Sequence, residues 1–132
     1  MWIFANPNPK KHMTASDCVV RAIAICLNLG WYEIFDRLYS VARNDCNMPS
    51  DNRVWGHFLY LCGFEPIPLP ECPECITLKE FCQRYYKGKY VVGTGSHAVA
   101  VMDGNYYDTF DSGNEILSYF WRMKGDQHAG VL

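Results

Sequence analysis

The fold of this chain is decided by the stretch Thr14-Ala-Ser-Asp-Cys-Val-Val-Arg-Ala-Ile-Ala-Ile-Cys-Leu-Asn-Leu29. Its apolar residues recur every three or four positions, which predicts a helix with one face buried against the rest of the domain. Ser16 is the predicted N-cap, Asp17 puts a carboxylate at the positive end of the helix dipole, and Gly30 is the predicted C-cap. Cys18 then lies in the first turn, where unpaired N–H groups and the dipole favour a thiolate. Among the seven cysteines, Cys18 is therefore the best candidate for a nucleophile.

Composition indicates one globular domain over residues 1–132. Hydrophobic residues make up 49% of the chain, and a chain of this length buries about two-thirds of its unfolded surface on folding. The formal net charge of −2 provides no basic field for nucleic acid, which is therefore not a predicted partner. No run approaches the roughly 18 apolar residues of a membrane span, and the first residues lack the basic region of a signal peptide. We expect a cytoplasmic protein with no membrane partner.

The cysteines leave one rival to a catalytic thiol. An odd number of cysteines scattered through helical and strand-like segments is typical of a reducing compartment, so we expect no disulfides. Cys72-Pro-Glu-Cys75 has the spacing of half a tetrahedral zinc site. No second motif completes it, and the residues able to do so in three dimensions are Cys46, His57, Cys62 and Cys82. Plain thiols and a zinc-stabilised interaction module both stay open; for the main function we predict no metal and no cofactor.

The hydrophobic period changes from helical to strand-like near residue 88. Amphipathic spacing predicts three further helices, at 31–43, 52–61 and about 77–86. The proline-rich segment 64–75 predicts an extended connector between the last two of these. A two-residue period then predicts antiparallel strands at 89–93, 97–102 and 105–110, and a further short strand within 114–123. This order predicts the α+β class, with N-terminal helices in about 14–87 packed on a C-terminal antiparallel sheet in about 88–123.

The hairpin signal at Asp103-Gly104 predicts which side chains meet. With a two-residue turn, Asp108 lies opposite Val99 and is the diagonal neighbour of His97, within reach of its side chain. A three-residue turn would place Asp111 opposite His97, which makes Asp111 the reserve carboxylate. Nucleophilic thiol catalysis needs a carboxylate that orients an imidazole, and an imidazole that faces a thiol at a helix N-terminus.

An oxyanion hole needs donors beside the attacking sulfur, and the backbone N–H of Cys18 supplies one. His12 and Asn8 are candidates for the second donor, with Asn6 and Thr14 as further options. The aromatic residues of the C-terminal part are expected in core and sheet packing, with the wall of a substrate groove as the alternative. These residues are Tyr106, Tyr107, Phe110, Tyr119, Phe120 and Trp121.

Two segments carry a family resemblance: Asp17-Cys-Val-Val-Arg-Ala-Ile23 and Gly95-Ser-His-Ala-Val-Ala-Val-Met-Asp-Gly-Asn-Tyr-Tyr-Asp-Thr-Phe-Asp-Ser-Gly113. Over most of its length the chain resembles small papain-like cysteine-peptidase-type proteins of gut bacteria and their phages. Its plan is similar to that of bacteriocin-processing peptidases and Josephin deubiquitinases, with the nucleophile on an early helix and the histidine and Asp or Asn on later strands.

The resemblance implies a papain-like fold in which Cys18 is the nucleophile, His97 the general base and Asp108 the orienting carboxylate. It implies a thiol hydrolase that cleaves an amide or isopeptide bond of a peptide or protein through an acyl-enzyme on Cys18. A transferase of the same chemistry is equally compatible with these residues.

One departure from the family pattern supports a second hypothesis. Papain-like enzymes usually carry a glutamine a few residues before the nucleophile as an oxyanion donor, whereas the glutamines here are Gln83 and Gln127. This absence and the small size favour a catalytically weak or inactive peptidase-fold protein, acting as a phage or bacterial adaptor or inhibitor that binds a host protein.

Overall fold

Residues 1–68 and 75–126 are described by a computed structural model, which has the α+β class predicted from the sequence. Helices and strands are interleaved along this part of the chain. The helices are α1 (Cys18–Leu27), α2 (Trp31–Asp45), α3 (Asn52–Leu61) and α4 (Leu78–Arg84). The strands are β1 (Trp2–Phe4), β2 (Phe64–Pro68), β3 (Lys89–Thr94), β4 (His97–Met102), β5 (Asn105–Asp108) and β6 (Tyr119–Met123).

The sheet is mixed and six-stranded, in the order β1-β5-β4-β3-β6-β2, so the prediction of a purely C-terminal antiparallel sheet is wrong. The N-terminal strand β1 pairs in parallel with β5, and β2, the first part of the proline-rich segment, pairs antiparallel with β6. Strand β2 is kept extended by the prolines within it. The extended backbone of each segment satisfies its polar groups by pairing with a free strand edge. The prolines of β2 are tolerated because this strand lies at the edge of the sheet.

Helices cover both faces of the sheet. Helices α1 and α3 pack on one face and α2 packs on these two helices, so that all three share a core with strand side chains that include Val91, Ala98 and Ala100. Helix α4 packs on the other face with Phe81, against side chains that include Val92. Because successive strand residues point to opposite faces, the almost continuous apolar runs of β3 and β4 are those of strands buried on both sides.

Helix α1 begins and ends slightly differently from the prediction. Asp17, not Ser16, is its N-cap, and the Asp17 side chain makes no capping hydrogen bond. The helix ends at Leu27, and its C-cap is Asn28, which adopts the left-handed conformation with φ 54°. Gly30 is instead the N-cap of α2. Asparagine tolerates this conformation better than most residues, which explains why the helix stops before the glycine.

The other helices follow their sequence signals closely. Helix α3 has the predicted bounds, and the Asp51 carboxylate accepts the N–H of Arg53 at its start. Helix α4 opens with the capping box formed by Thr77 and Glu80 but ends at Arg84, about two residues earlier than predicted.

The expectation of no disulfides is wrong, because Cys75 is disulfide-bonded. The described cysteines with free thiols are Cys18, Cys26, Cys46, Cys62 and Cys82. Cys72, the other cysteine of the predicted zinc half-site, lies outside the described residues.

The predicted hairpin register is confirmed. Met102 pairs with Asn105 and Ala100 pairs with Tyr107 across the turn. Asp103 and Gly104 have φ of 51° and 80°, as the two central residues of a type I′ turn require. Strand β5 ends at Asp108, two residues before the predicted end.

No helix of the described ranges is by itself long and apolar enough to cross a membrane. Helices α1 and α2 reach the required length and composition only as a pair, with a bend of 114° between them.

The packing of α4 on the second face of the sheet leads to a stability prediction. Phe81 is fully buried and contacts the rings of Tyr85, Tyr90 and Phe120. Phe81→Ala should lower the free energy of unfolding by about 3–5 kcal/mol, because it removes buried apolar surface and leaves a cavity. Urea denaturation followed by tryptophan fluorescence measures this change.

Leu61→Ala is the matched control, since Leu61 lies on α3 and is 61% exposed. Its effect should stay within about 0.5 kcal/mol. Equal effects of the two substitutions would contradict the packing of α4 on the sheet.

Candidate active site

The side chains of Cys18, His97 and Asp108 meet at one end of the sheet. Cys18 is the first residue of α1, His97 the first of β4 and Asp108 the last of β5. His97 Nε2 lies 2.6 Å from Asp108 Oδ2, and the His97 ring is also hydrogen-bonded to the Cys18 thiol. Because Nε2 faces the carboxylate, Nδ1 is the ring nitrogen left for the thiol. The structure thus brings together the three residues of the predicted triad, whose catalytic roles stay a prediction.

The half-buried thiol of Cys18 lies among groups that stabilise its ionised form. Burial by itself raises the pKa of Cys18, but hydrogen bonds from His97 and from the backbone N–H of Ala98 lower it. The positive charges of His97 and Arg21 act in the same direction as these bonds. The net result is a pKa below the ordinary value of a cysteine thiol, which raises the fraction of the nucleophilic thiolate.

The imidazole of His97 lies between two acidic groups. Burial lowers the pKa of His97, but the hydrogen bonds and charges of Asp108 and Cys18 more than compensate and raise it to about 9. From the lowered pKa of Cys18 up to about pH 9, the two side chains therefore exist as a thiolate and an imidazolium. The imidazolium is the form that can give a proton to a leaving amine.

Asp108 is buried and held by several donors. Its Oδ2 accepts a 2.7 Å hydrogen bond from the Ser112 hydroxyl, and its Oδ1 accepts the backbone N–H of Thr109 at 2.8 Å. The guanidinium of Arg21 lies 3.8 Å from Oδ1. These contacts fix the carboxylate on the side facing His97, as expected of a group that sets the orientation and tautomer of an imidazole.

Sequence reasoning missed the role of Arg21. This residue lies one turn after Cys18 and is only 6% exposed, and its guanidinium also binds the carboxylate of Asp17. The sequence did contain a signal: an arginine four residues after an aspartate, in the middle of an otherwise apolar helix face.

The reserve carboxylate Asp111 does not contact His97 and has other hydrogen-bond partners. Its Oδ1 accepts hydrogen bonds from the Tyr106 hydroxyl and from the backbone N–H of Gly113. The two-residue hairpin turn is the physical reason, because it selects the register in which Asp108, not Asp111, reaches His97.

Three of the predicted second oxyanion donors, Asn8, Asn6 and His12, do not line the cleft beside Cys18. Asn8 is buried, and its side-chain amide donates to Asp17 Oδ2 at 3.0 Å. The Asn6 amide donates to the backbone carbonyl of His12, whose own side chain is exposed. These residues fold the N-terminal segment against the start of α1, whereas Thr14 does line the cleft.

The first turn of α1 retains donors for an oxyanion. The Asp17 side chain does not cap this helix, so in the described part of the chain no side chain occupies the backbone N–H groups of Cys18 and Val19. Both residues line the cleft. Such N–H groups lie at the positive end of the helix dipole, where they stabilise a negative oxygen.

The triad opens into a cleft of about 800 Å³ between the helices and the end of the sheet. Trp31, Phe35 and Tyr39, spaced one turn apart on α2, form what we term the aromatic wall of this cleft. Their rings follow one another at centroid distances of 5.0 and 4.3 Å.

No family model, curated protein or solved structure matches the chain.

The cleft is also lined by two aromatic residues that were expected in the core, Phe110 and Tyr119. Phe110 is 45% exposed, and the centroid of its ring lies 5.1 Å from the centroid of the His97 ring. The Tyr119 ring also lines the cleft and lies across Gly93, where a Cβ atom would approach it to 2.2 Å. These two residues therefore line the cleft, and their role as the wall of a substrate groove stays a prediction, while Tyr106 and Phe120 are buried in the core.

Within residues 1–68 and 75–126, no three His, Cys, Asp or Glu side chains are arranged to hold a metal ion.

His57 lies at the surface of α3, with Nδ1 2.8 Å from Asp45 Oδ2. This exposed pair is also a histidine–aspartate contact, made through Nδ1 instead of Nε2 and away from the cleft, which makes it a useful control.

Iodoacetamide should alkylate Cys18 at pH 6 at least about tenfold faster than the buried thiols, since each unit of pKa changes the thiolate fraction tenfold. Burial raises the pKa of Cys26 to about 12 and of Cys82 to about 11. His97→Gln should slow the alkylation of Cys18 about tenfold or more, because it removes a hydrogen bond and a positive charge. Peptide mass spectrometry of time points measures each rate.

His57→Gln is the matched control and should leave the rate at Cys18 unchanged. Equal labelling of all the thiols, or equal effects of the two histidine substitutions, would contradict an activated Cys18.

Proposed function

We propose that this chain is a papain-like thiol hydrolase that cleaves an amide or isopeptide bond of a peptide or protein through an acyl-enzyme on Cys18. The observation that carries the proposal is the hydrogen-bonded series Cys18–His97–Asp108 at the mouth of a cleft, with the nucleophile in the first turn of a helix. A papain-like fold is supported by the same placement, a nucleophile helix packed on strands that carry the histidine and the carboxylate.

In the first half of the reaction, the Cys18 thiolate attacks the carbonyl carbon of the substrate. A C–S bond forms, and the electron pair of the C=O bond moves to the oxygen, beside the first-turn N–H groups of α1. The C–O double bond then re-forms as the C–N bond breaks, and the His97 imidazolium gives its proton to the leaving amine. Asp108 keeps the imidazole in the tautomer and orientation that this transfer needs.

In the second half, water hydrolyses the thioester. His97, now neutral, takes a proton from the water while the oxygen attacks the acyl carbon, and the C–S bond breaks to release a carboxylic acid. The products of this step are the thiolate of Cys18 and the imidazolium of His97, which are the starting forms. An amine in place of water would give a transferase with the same residues.

The cleft favours an apolar segment of substrate. In the described part of the chain, its charged lining residues are Asp17, Arg21 and His97, together with the Cys18 thiolate, and all of these contact one another or Asp108. The aromatic wall and Tyr119 provide uncharged, largely apolar surface. A peptide with uncharged aromatic or aliphatic residues near the scissile bond would bury apolar surface there without desolvating a charge of its own.

The purified protein should cleave members of a diverse peptide library, with new termini and a Cys18 thioester detectable by mass spectrometry after acid quenching. Cys18→Ala should abolish both signals, because it removes the sulfur that attacks the carbonyl and forms the thioester. Cleavage should decline as the pH rises through about 9, where His97 loses the proton that the leaving amine requires.

Cys46→Ala is the control, since Cys46 is an exposed thiol outside the cleft. A protein whose Cys18 alkylates rapidly but which cleaves no peptide contradicts hydrolysis. That result would favour the alternative hypothesis of a binding adaptor or inhibitor.

Tyr39→Ala should lower kcat/KM about fivefold for peptides with aromatic residues near the cleaved bond, since one aromatic contact contributes about 1 kcal/mol. Tyr39 is 50% exposed, so little effect on stability is expected. Steady-state kinetics with matched aromatic and charged peptides measures the change.

Tyr60→Ala is the control, because Tyr60 is similarly exposed on α3 but lies outside the cleft. An equal loss in both variants, or no loss in Tyr39→Ala, would contradict the aromatic wall as a substrate subsite.

A further inference from the structure

Arg21 lies between two buried carboxylates that flank the nucleophile. Its Nη1 binds Asp17 Oδ1, and its Nη2 lies 3.8 Å from Asp108 Oδ1. Asp17 immediately precedes Cys18, and Asp108 lies behind His97 as seen from the thiol. Arg21, Asp17 and Asp108 are 6%, 8% and 3% exposed, so solvent screens their charges only weakly.

The charges of this cluster are unbalanced without Arg21. The ionised cluster contains three acidic groups, those of Asp17, Cys18 and Asp108, and two basic ones, those of Arg21 and His97. Removing Arg21 would double the net negative charge in a buried region. A second negative charge beside a thiolate favours the neutral thiol.

Asp17 and Asp108 are held firmly on their other sides. Asp17 Oδ2 accepts hydrogen bonds from the Asn8 amide and the Trp31 indole, both at 3.0 Å. The guanidinium therefore links α1, through Asp17, to the end of β5, through Asp108. Each of its two terminal nitrogens faces a different carboxylate. A lysine has a single ammonium group and reproduces this arrangement only in part.

We propose that Arg21 is a positioning residue that joins Asp17 to Asp108 beneath the nucleophile helix and balances their charge, so that Cys18 persists as a thiolate beside His97. This inference rests on the proposed function, since it assigns to Arg21 the maintenance of the attacking species. Arg21 acts through the two carboxylates and takes no part in bond making or breaking.

The pH dependence of Cys18 alkylation measures this role without any substrate. The titratable groups around the thiol are Asp17 and Arg21 on its own helix, His97 on β4 and Tyr119 on β6, with Asp108 on β5 behind the imidazole. Iodoacetamide rates at Cys18 from pH 4 to 10 give the midpoint at which the thiol ionises. Near-ultraviolet circular dichroism verifies that each variant is folded.

Arg21→Met should raise this midpoint by about one unit or more, which slows alkylation at pH 6 about tenfold. The double variant Asp17→Asn/Arg21→Met should bring the midpoint back towards that of the unmodified protein, because it removes the uncompensated carboxylate. Arg21→Lys retains the charge and should stay closer to the unmodified protein than Arg21→Met does. A purely structural role would not give recovery when a second buried group is removed.

Arg53→Met is the matched control, since Arg53 pairs with Asp51 at the exposed start of α3. It should leave the midpoint unchanged. If Arg21→Met does not fold, the double variant and Arg21→Lys carry the test.

An unchanged midpoint in Arg21→Met, or a raised midpoint that neither Asp17→Asn nor lysine corrects, overturns the role of Arg21. If Arg21→Met does not fold, the role of Arg21 is overturned by a midpoint that is raised by one unit or more in both the double variant and Arg21→Lys. Absence of peptide cleavage by the unmodified protein overturns the proposed hydrolase instead, whatever the Arg21 variants do.

Discussion

The contact between α1 and β4 is the constraint on which the rest of the molecule depends. Strand β4 presents Ala98 and Ala100 to the helix side of the sheet, and these small side chains let the helix lie close to the strand. Both ends of α1 are tied to the sheet, since the Cys26 thiol donates to the Tyr90 carbonyl at 3.1 Å and Cys18 is bonded by the Ala98 amide. One end of that contact is the place where Cys18 meets His97.

The same contact forces charged groups into a buried layer. Isolated, buried carboxylates are costly, and they persist where cations and hydrogen-bond donors compensate for lost water. Asp17 meets this condition through Arg21 and the Asn8 amide. Asp108 meets it through the backbone N–H of Thr109 and the hydroxyl of Ser112. In the described ranges every buried side-chain nitrogen and oxygen has a hydrogen-bond partner. The cluster is thus both a structural link and the electrostatic surrounding of the thiol.

Aromatic residues divide into two groups with different consequences. Phe81, Tyr90 and Phe120 contact one another and stabilise the layer between the sheet and α4. The aromatic wall of α2 stays partly open because it lines the cleft. Amphipathic spacing alone does not distinguish these groups, since a helix face that lines a cleft has the same period as one that enters a core.

The sequence by itself determined the hairpin register, and with it the meeting of His97 with Asp108, because a two-residue turn and the alternation of strand side chains are local properties. It also determined the bounds of α3 and the capping box of α4, which rest on hydrogen bonds between near neighbours. Only the tertiary structure decided the mixed sheet and the pairing of Arg21 with Asp108. Strand addition and buried ion pairing depend on which distant segments become neighbours, and that is settled by packing the whole chain.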